Sequence, residues 1–180
     1  MRFSETPLAG VWEIDLELLG DERGWFARGF DVDEFGRRGL ELEVVQANSS
    51  FNAARDTLRG LHYQADPHGE PKLVRCVAGA VFDVAVDLRP ESPTFRAWFG
   101  LELSDSNQRI LWIPPGLAHG FLTLSEEADL LYRCTDYYEA QSEGAVRWND
   151  PDLAIDWPLT GAPVLSPRDA AAPLLAEALG

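Results

Sequence analysis

The sequence is poor in basic residues. Lysine and arginine together number 15 against 30 aspartates and glutamates, which gives a formal net charge of −15 over 180 residues. Such a charge repels a phosphate backbone and an anionic lipid surface, so we expect neither nucleic acid nor a membrane as a partner. Lys72 is the only lysine, and every other basic residue is an arginine.

Long apolar runs and disulfide-forming cysteines are scarce too. No apolar run approaches the roughly 18 residues of a membrane span, and the first residues lack the basic start and apolar stretch of a signal peptide. The two cysteines, Cys76 and Cys134, lie in apolar, strand-like runs, where a free thiol behaves as a small buried hydrophobe. Two cysteines do not make the disulfide framework of a secreted protein at this length. We therefore expect a cytoplasmic protein.

Histidine is also rare, which argues against a histidine-rich metal site. A site for Fe, Mn or Ni needs about three or four converging nitrogen and oxygen ligands, such as H-x-H followed by a carboxylate. This chain has Gln64 two residues after His62, and His68 falls in a turn. We expect no bound metal.

What the sequence does contain is a series of short strands. Hydrophobic residues make up 46% of the chain, which fits one globular domain over residues 1–180. Strand-like runs separated by turn material lie at 11–18, 72–77, 80–88, 98–103, 110–113, 120–124 and 130–135. Short helices are predicted at 31–38 and 169–180. Many short strands with little helical periodicity predict an all-β, jelly-roll-like barrel with short flanking helices.

Four segments contain side chains suited to acid–base chemistry. They supply Arg59 with His62, then Lys72, His119 and Tyr132. Each also has an ordinary structural interpretation: such a histidine is usually hydrogen-bonded in the core, such a lysine reaches solvent, and such a tyrosine packs as a core aromatic. On a regular strand Arg59 and His62 face opposite sides, so only a bend or bulge near Gly60 would bring them together.

Taken together, the segments resemble a known family. Pro114, Gly116 and His119 match the second cupin motif, P-x-G-x-x-H. Across nearly its whole length the sequence resembles the dTDP-4-dehydrorhamnose 3,5-epimerase family of nucleotide-sugar epimerases. The stretches that carry the resemblance are DERGWF (21–26), VVQANSSFN (44–52), TLRGLHYQ (57–64), PKLVRCVAGAVFDVAVDLR (71–89), SPTF (92–95), IPPGLAHGFLTLS (113–125), YRCTDYY (132–138), WNDPDLAIDWP (148–158) and LSPRD (165–169). The resemblance implies a cupin-like jelly-roll, a homodimer, and catalysis without metal or organic cofactor.

The resemblance also implies roles for individual residues. His62 is expected to be the general base, oriented by Asp169, with Tyr132 as general acid and Lys72 at the keto oxygen of the substrate. The implied substrate-binding residues are Arg23, Phe26, Arg28, Gln46, Asn48, Arg59, His119, Tyr138, Glu143 and Arg168, with Asp83 in support. Of these, Arg23 and Phe26 are expected to reach into the site of the partner subunit and hold the nucleotide.

These implied roles are chemically coherent for a dTDP-linked 4-keto-6-deoxyhexose. Its C4 ketone acidifies the hydrogens on C3 and C5, so a base on one face and an acid on the other can invert either carbon through an enolate. A cation beside the developing oxyanion stabilises it. The expected reaction is of the type that converts dTDP-4-keto-6-deoxyglucose to dTDP-4-keto-L-rhamnose.

Three alternatives remain open at this point. The first is an epimerase that inverts C3 only or C5 only; Arg28 stands where the family usually has Glu, which bears on specificity, whereas Arg168 replaces a usual Lys and keeps the charge. The second is a sugar-nucleotide-binding cupin without catalysis, although binding alone needs no acid–base pair. The third is a metal-dependent cupin enzyme.

Overall fold

A computed structural model of the chain describes residues 1–41, 43–135, 137 and 139–179. These residues form thirteen strands and three short helices. The strands are β1 (Arg2–Glu5), β2 (Trp12–Asp15), β3 (Leu19–Asp21), β4 (Gly24–Phe26), β5 (Gln46–Asn52), β6 (Leu58–Gln64), β7 (Lys72–Ala78), β8 (Ala80–Asp87), β9 (Trp98–Ser104), β10 (Arg109–Ile113), β11 (Leu117–Thr123), β12 (Ala128–Cys134) and β13 (Glu143–Ala145). The helices are α1 (Val32–Gly36), α2 (Pro167–Ala170) and α3 (Leu175–Ala178).

Two antiparallel sheets make up the body of the fold. One has six strands in the order β1-β2-β10-β7-β12-β5, and the other has five in the order β13-β6-β11-β8-β9. Inner side chains of both sheets pack in one apolar cluster, so the sheets lie face to face. The predicted cupin-like jelly-roll with short flanking helices is confirmed. Strands β3 and β4 form a separate two-stranded hairpin.

All seven predicted strands are present, and two of them differ from the prediction by three residues at one end. The strand predicted over 11–18 ends at Asp15, because pairing with Arg2 of β1 and Arg109 of β10 stops at that residue. The strand predicted over 120–124 begins earlier, at Leu117, since the whole of β11 pairs with β8. The helix predicted over 31–38 is confirmed as α1, where the Asp31 carboxylate accepts hydrogen bonds from the first backbone N–H groups.

Three apolar clusters determine where a cavity can form. One lies between the sheets and includes Val74, Phe121 and Leu130, with Tyr132 packed at its edge. A second covers the outer face of the five-stranded sheet with C-terminal residues such as Trp157. The third packs α1 on the outer face of the six-stranded sheet. The space between the sheets therefore turns polar beyond Tyr132. No helix in the described part of the chain is long and apolar enough to span a membrane.

Candidate active site

A cavity of about 560 Å³ opens between the two sheets. Ten of the residues predicted for the site line it: Gln46, Asn48, Arg59, His62, Lys72, His119, Tyr132, Glu143, Arg168 and Asp169. The fold brings together side chains that lie more than 120 residues apart in the sequence, from Gln46 to Asp169. Convergence of this many predicted side chains is what a binding or catalytic site requires.

One wall of the cavity comes from the six-stranded sheet. Gln46, Cys134 and Lys72 lie side by side on β5, β12 and β7, and Asn48 and Tyr132 form the next row. Because side chains alternate along a strand, residues two apart on each of these strands point into the same space. The period of two therefore places the lysine and the tyrosine in neighbouring rows on one wall.

The opposite wall comes from β6 and β11. It contains a bulge of the kind predicted to bring Arg59 and His62 to one side of the strand. His119 pairs with His62 and Phe121 pairs with Arg59, so β6 has one more residue than β11 between the two pairs. This extra residue lies next to Gly60, whose φ is +119°. The bulge turns Arg59 to the same side as His62, and both line the cavity.

Two glycines allow the strands of this wall to approach each other. A Cβ on Gly60 would lie 2.6 Å from the Cα of Gly120 and 2.8 Å from the carbonyl oxygen of His119. A Cβ on Gly120 would lie 2.8 Å from the carbonyl oxygen of Arg59. Any side chain at either position would separate β6 from β11, so glycine at both maintains the bulge.

The imidazole of His62 is paired with the carboxylate of Asp169. Nε2 of His62 lies 2.6 Å from Oδ1 of Asp169, which is buried on α2. The Ser166 hydroxyl caps α2 by accepting the backbone N–H of Asp169 at 3.0 Å, so the helix start fixes the carboxylate. Burial raises the pKa of Asp169, but the hydrogen bonds from His62 and Ser166 outweigh it, and the pKa lies below its ordinary value.

Because that carboxylate is ionised, it can only accept a hydrogen bond from the ring. Nε2 of His62 therefore carries the proton, and Nδ1 keeps the lone pair. His62 is thus held in a tautomer with one basic nitrogen available to a ligand. This is the arrangement that a general base needs.

His119 has a similar partner on the same wall. Its Nε2 lies 2.9 and 3.0 Å from the two oxygens of Asp83, a fully buried carboxylate on β8. The structure therefore places Asp83 behind His119, outside the cavity lining. The partner of Nε2 is thus a carboxylate side chain, and not the backbone that the ordinary structural interpretation of a buried histidine predicts.

Tyr132 lies on the six-stranded wall, across the cavity from β6. Burial raises the pKa of its phenol, the neighbouring Cys134 and Glu70 raise it further, and Arg59 acts in the opposite direction. The phenol therefore stays protonated throughout the neutral range and can serve as a proton donor.

Lys72 also faces the cavity, with 15% of its side chain exposed. Its Nζ donates to Oε1 of Glu70 at 2.5 Å. The interpretation that this lysine reaches solvent is wrong, because β7 begins with Lys72 on its inward-facing side. Glu70 and Cys134 line the cavity as well and were not predicted. The one available signal for Glu70 was a carboxylate two residues before the only lysine.

Two arginines complete the cavity. The Nε of Arg59 donates to Oδ1 of Asn52 at 2.7 Å, which fixes the guanidinium against β5. Nη2 of Arg168 lies 2.8 Å from Oε2 of Glu143, so these two residues form an ion pair at the cavity edge. Both guanidinium groups are suited to phosphate or carboxylate groups of a ligand.

Three further predicted residues of the described chain do not line this cavity: Arg23, Phe26 and Arg28. Arg23 and Phe26 lie on the β3–β4 hairpin, with 84% of the Arg23 side chain and 65% of Phe26 exposed. Arg28 follows the hairpin and forms an ion pair with Asp31 at 3.4 Å. Tyr138 lies outside the described residues.

The arrangement is that of an acid–base site. A paired histidine on one wall faces a protonated tyrosine on the other, and a lysine lies one row from the tyrosine. Such a site can remove a proton from one face of a ligand and return one to the other. Among the described residues, no three histidine, cysteine or acidic side chains are grouped to hold a metal ion. The two cysteines within that part of the chain are free and buried.

Comparison with known proteins finds relatives that are all described as dTDP-sugar epimerases. The family model for dTDP-4-dehydrorhamnose 3,5-epimerase matches residues 5–177. The dTDP-4-dehydrorhamnose 3,5-epimerase of Salmonella typhimurium is 48% identical over 176 residues, covering 97% of this chain and 96% of that protein. A dTDP-4-dehydrorhamnose 3-epimerase of Streptomyces niveus is 46% identical over 179 residues, covering 99% of this chain and 86% of that protein.

A solved structure extends the similarity to the fold. The dTDP-6-deoxy-D-glucose-3,5-epimerase of Legionella pneumophila, in complex with dTDP-4-keto-L-rhamnose, matches with a TM-score of 0.92 and 46% sequence identity. The match covers 97% of this chain and 93% of that one. The likeness therefore extends over nearly the whole chain.

Proposed function

Because the chain belongs to the dTDP-4-dehydrorhamnose 3,5-epimerase family of isomerases, we propose that it inverts C3 and C5 of a dTDP-linked 4-keto-6-deoxyhexose. The type reaction is dTDP-4-keto-6-deoxyglucose to dTDP-4-keto-L-rhamnose. One observation carries the proposal: the His62–Asp169 pair and Tyr132 project from facing sheets into one cavity. Inversion of a carbon needs a base and an acid on opposite faces, and this cavity has both.

The first step is deprotonation. Nδ1 of His62 removes the proton from C3 or C5. The electron pair of that C–H bond forms a double bond to C4, and the π pair of the C4 carbonyl moves to its oxygen to give the enolate. Asp169 stabilises the imidazolium that forms, because its carboxylate lies 2.6 Å from Nε2. A base positioned in this way contributes about 10²–10⁴-fold to the rate.

The enolate oxygen requires a positive group. Lys72 supplies a compact ammonium on the wall that also holds Tyr132. Charge that develops only in the transition state is stabilised best by a group that is already in place. The Lys72 ammonium must therefore be held in a fixed position. His119, with Asp83 behind it, lines the cavity from the opposite wall.

The second step is reprotonation from the opposite face. The Tyr132 phenol gives its proton to the carbon, the enolate collapses to the ketone, and the configuration of that carbon is inverted. The phenolate and the imidazolium then exchange protons with solvent through the cavity mouth. Repeating the step at the second carbon requires only that the sugar ring present C5 in place of C3, since the same ketone acidifies both.

The nucleotide is held by arginines and by a second copy of the chain. Arg59 lies in the cavity, where its guanidinium can grip the diphosphate. The β3–β4 hairpin exposes Leu19, Trp25 and Phe26 together with Arg23, an apolar group that a homodimer would cover. In that homodimer, Phe26 and Arg23 extend into the partner subunit's cavity and contact the base and the phosphates.

Inversion of a single centre is the second candidate. The relative named a 3-epimerase is 46% identical to this chain, close to the 48% of a 3,5-epimerase, so overall identity does not separate the two. Both reactions use the same base, acid and enolate. They differ in whether the sugar turns to present its second acidic carbon.

Incubation with dTDP-4-keto-6-deoxyglucose in D₂O tests the proposal. Incorporation is measured by mass spectrometry, and the label is located by NMR. We expect deuterium at both C3 and C5. Label at one carbon alone would establish the single-centre reaction, and absence of label with dTDP still bound would contradict catalysis on this sugar.

A further inference from the structure

One charged residue that lines the cavity, Glu70, has no predicted role. Glu70 lies in the loop before β7, and only 10% of its side chain is exposed. A carboxylate buried to this degree beside a ligand cavity needs hydrogen-bond donors or an opposite charge. Glu70 has both kinds of partner.

Its first partner is Lys72. The Nζ–Oε1 distance is 2.5 Å, and both side chains are largely buried, so the pair lies on the cavity wall and not on the surface. A lysine side chain has four rotatable bonds and a strongly hydrated charge. Without an anchor, the ammonium would sample several positions, and its value as a fixed positive group would fall.

Its second partner is Cys134, which lies beside Lys72 in the register of β12 and β7. Burial raises the pKa of the Cys134 thiol to about 12, and the charge of Glu70 acts in the same direction. The thiol is therefore protonated at neutral pH and is available as a hydrogen-bond donor to Glu70. Two donors from adjacent strands thus fix the carboxylate, and the carboxylate in turn fixes the lysine.

We propose that Glu70 is a positioning residue for the epimerisation, holding the Lys72 ammonium where the enolate oxygen forms. The inference rests on the proposed function for its chemistry, but the Glu70–Lys72 contact can be measured without turnover. Glu70 does not touch the reacting carbons in this scheme. It acts through Lys72, so its loss lowers kcat and leaves KM nearly unchanged.

The first measurement follows Lys72 directly, because it is the only lysine in the chain. Acetylation by an N-hydroxysuccinimide ester is timed by peptide mass spectrometry, which separates Lys72 from the N-terminal amine. We expect Glu70→Ala to acetylate at Lys72 at least about tenfold faster than the native chain, since the amine is released from its partner. Equal rates would overturn the proposal.

The second measurement is steady-state kinetics on dTDP-4-keto-6-deoxyglucose. We expect Glu70→Ala to lose about 10- to 100-fold in kcat with KM within about threefold, and Glu70→Gln to retain more activity because its amide oxygen still accepts from Lys72. Glu102→Gln, on the exposed side of β9, is the matched control and keeps native kinetics. A native kcat in Glu70→Ala would overturn the proposal, as would loss of activity that follows a fall in Tm and is not recovered in Glu70→Gln.

The two measurements separate two kinds of failure. If the native chain incorporates no deuterium, the proposed function is wrong, and the acetylation rates still report whether Glu70 holds Lys72. If the native chain turns over and the Glu70 variants behave as the native chain does in both measurements, only the positioning role is wrong.

Discussion

Nε2 of His62 and Oδ1 of Asp169 lie 2.6 Å apart, although 107 positions separate the two residues in the sequence. His62 comes from a strand of the barrel wall, and Asp169 comes from a capped helical turn near the end of the described chain. The contact therefore joins the C-terminal segment to the site. It also fixes which ring nitrogen is basic.

Replacement of the base should stop catalysis without stopping binding. We expect His62→Ala to lose about 10²–10⁴-fold in turnover, because no other group takes the proton from the sugar. Affinity for dTDP, measured by calorimetry, should stay close to native. His68→Ala, which alters a histidine outside the cavity lining, is the control. A His62→Ala variant with a near-native rate would show that the base is another residue.

The carboxylate behind the base should matter nearly as much. The amide of Asp169→Asn can donate to Nε2 as well as accept from it, and it lacks the charge, so the ring is no longer held in one tautomer and turnover should fall by about 10²–10⁴-fold. The pKa of Asp169 is lowered in the fold, so its charge stabilises the native state above its ordinary pKa, and that contribution is lost as the pH falls. The difference in unfolding free energy between Asp169→Asn and the native chain should therefore shrink below about pH 4. Urea titrations at pH 7 and pH 3 measure it, and an equal difference at both would contradict the assignment.

Removal of the acid should separate the two half-reactions. In Tyr132→Phe the base still forms the enolate, so deuterium from D₂O should enter the sugar faster than the configuration inverts. NMR distinguishes label in unchanged substrate from label in product. Inversion at the native rate would mean that a different group supplies the proton.

The dependence of kcat on pH in the alkaline range follows from the ionisation of Tyr132. Burial, Cys134 and Glu70 raise the pKa of the Tyr132 phenol above its ordinary value of 10.0. The donor is therefore still largely protonated at pH 9, and we expect ionisation of Tyr132 to cause no decline in kcat below about pH 9. A decline that disappears in Tyr132→Phe would contradict this.

A test of the dimer uses two inactive variants. Arg23→Ala lacks the hairpin arginine, and His62→Ala lacks the base; a mixed dimer has one cavity with both residues intact. If the hairpin serves the partner's cavity, co-expressed chains with different tags should regain about half of the native activity per dimer. If the mixture stays as inactive as its components, Arg23 acts within its own chain.

Much of the fold could be predicted from local pattern. Strands β7, β8 and β9 follow the predicted runs closely, because each is a short, mainly apolar run bounded by turn residues. The hairpin of β3 and β4 could not be predicted in the same way, since its side chains are exposed and its sequence lacks a buried face. The end of β2 depended on where its neighbours stop, which is a property of the sheet and not of the segment.

The residues of the site also differ in how far local pattern predicts them. The period of two on β7 and β12 is enough to put Lys72 near Tyr132 once the strands are paired. The position of Glu70 depends on how a loop folds back on the cavity, and no periodicity describes a loop. The bulge on β6 could be anticipated at Gly60, because glycine inside a strand commonly marks one.

The paired glycines at 60 and 120 have a consequence for how this enzyme can diversify. Each glycine occupies the space that a side chain on the other strand would need. A substitution at either position therefore causes a clash, and substitution of both makes the clash worse. The spacing between the guanidinium of Arg59 and the imidazole of His62 is consequently fixed by backbone contact. Substitutions that change the substrate preference are therefore expected at other residues of the cavity lining and on the hairpin, and not at these two glycines.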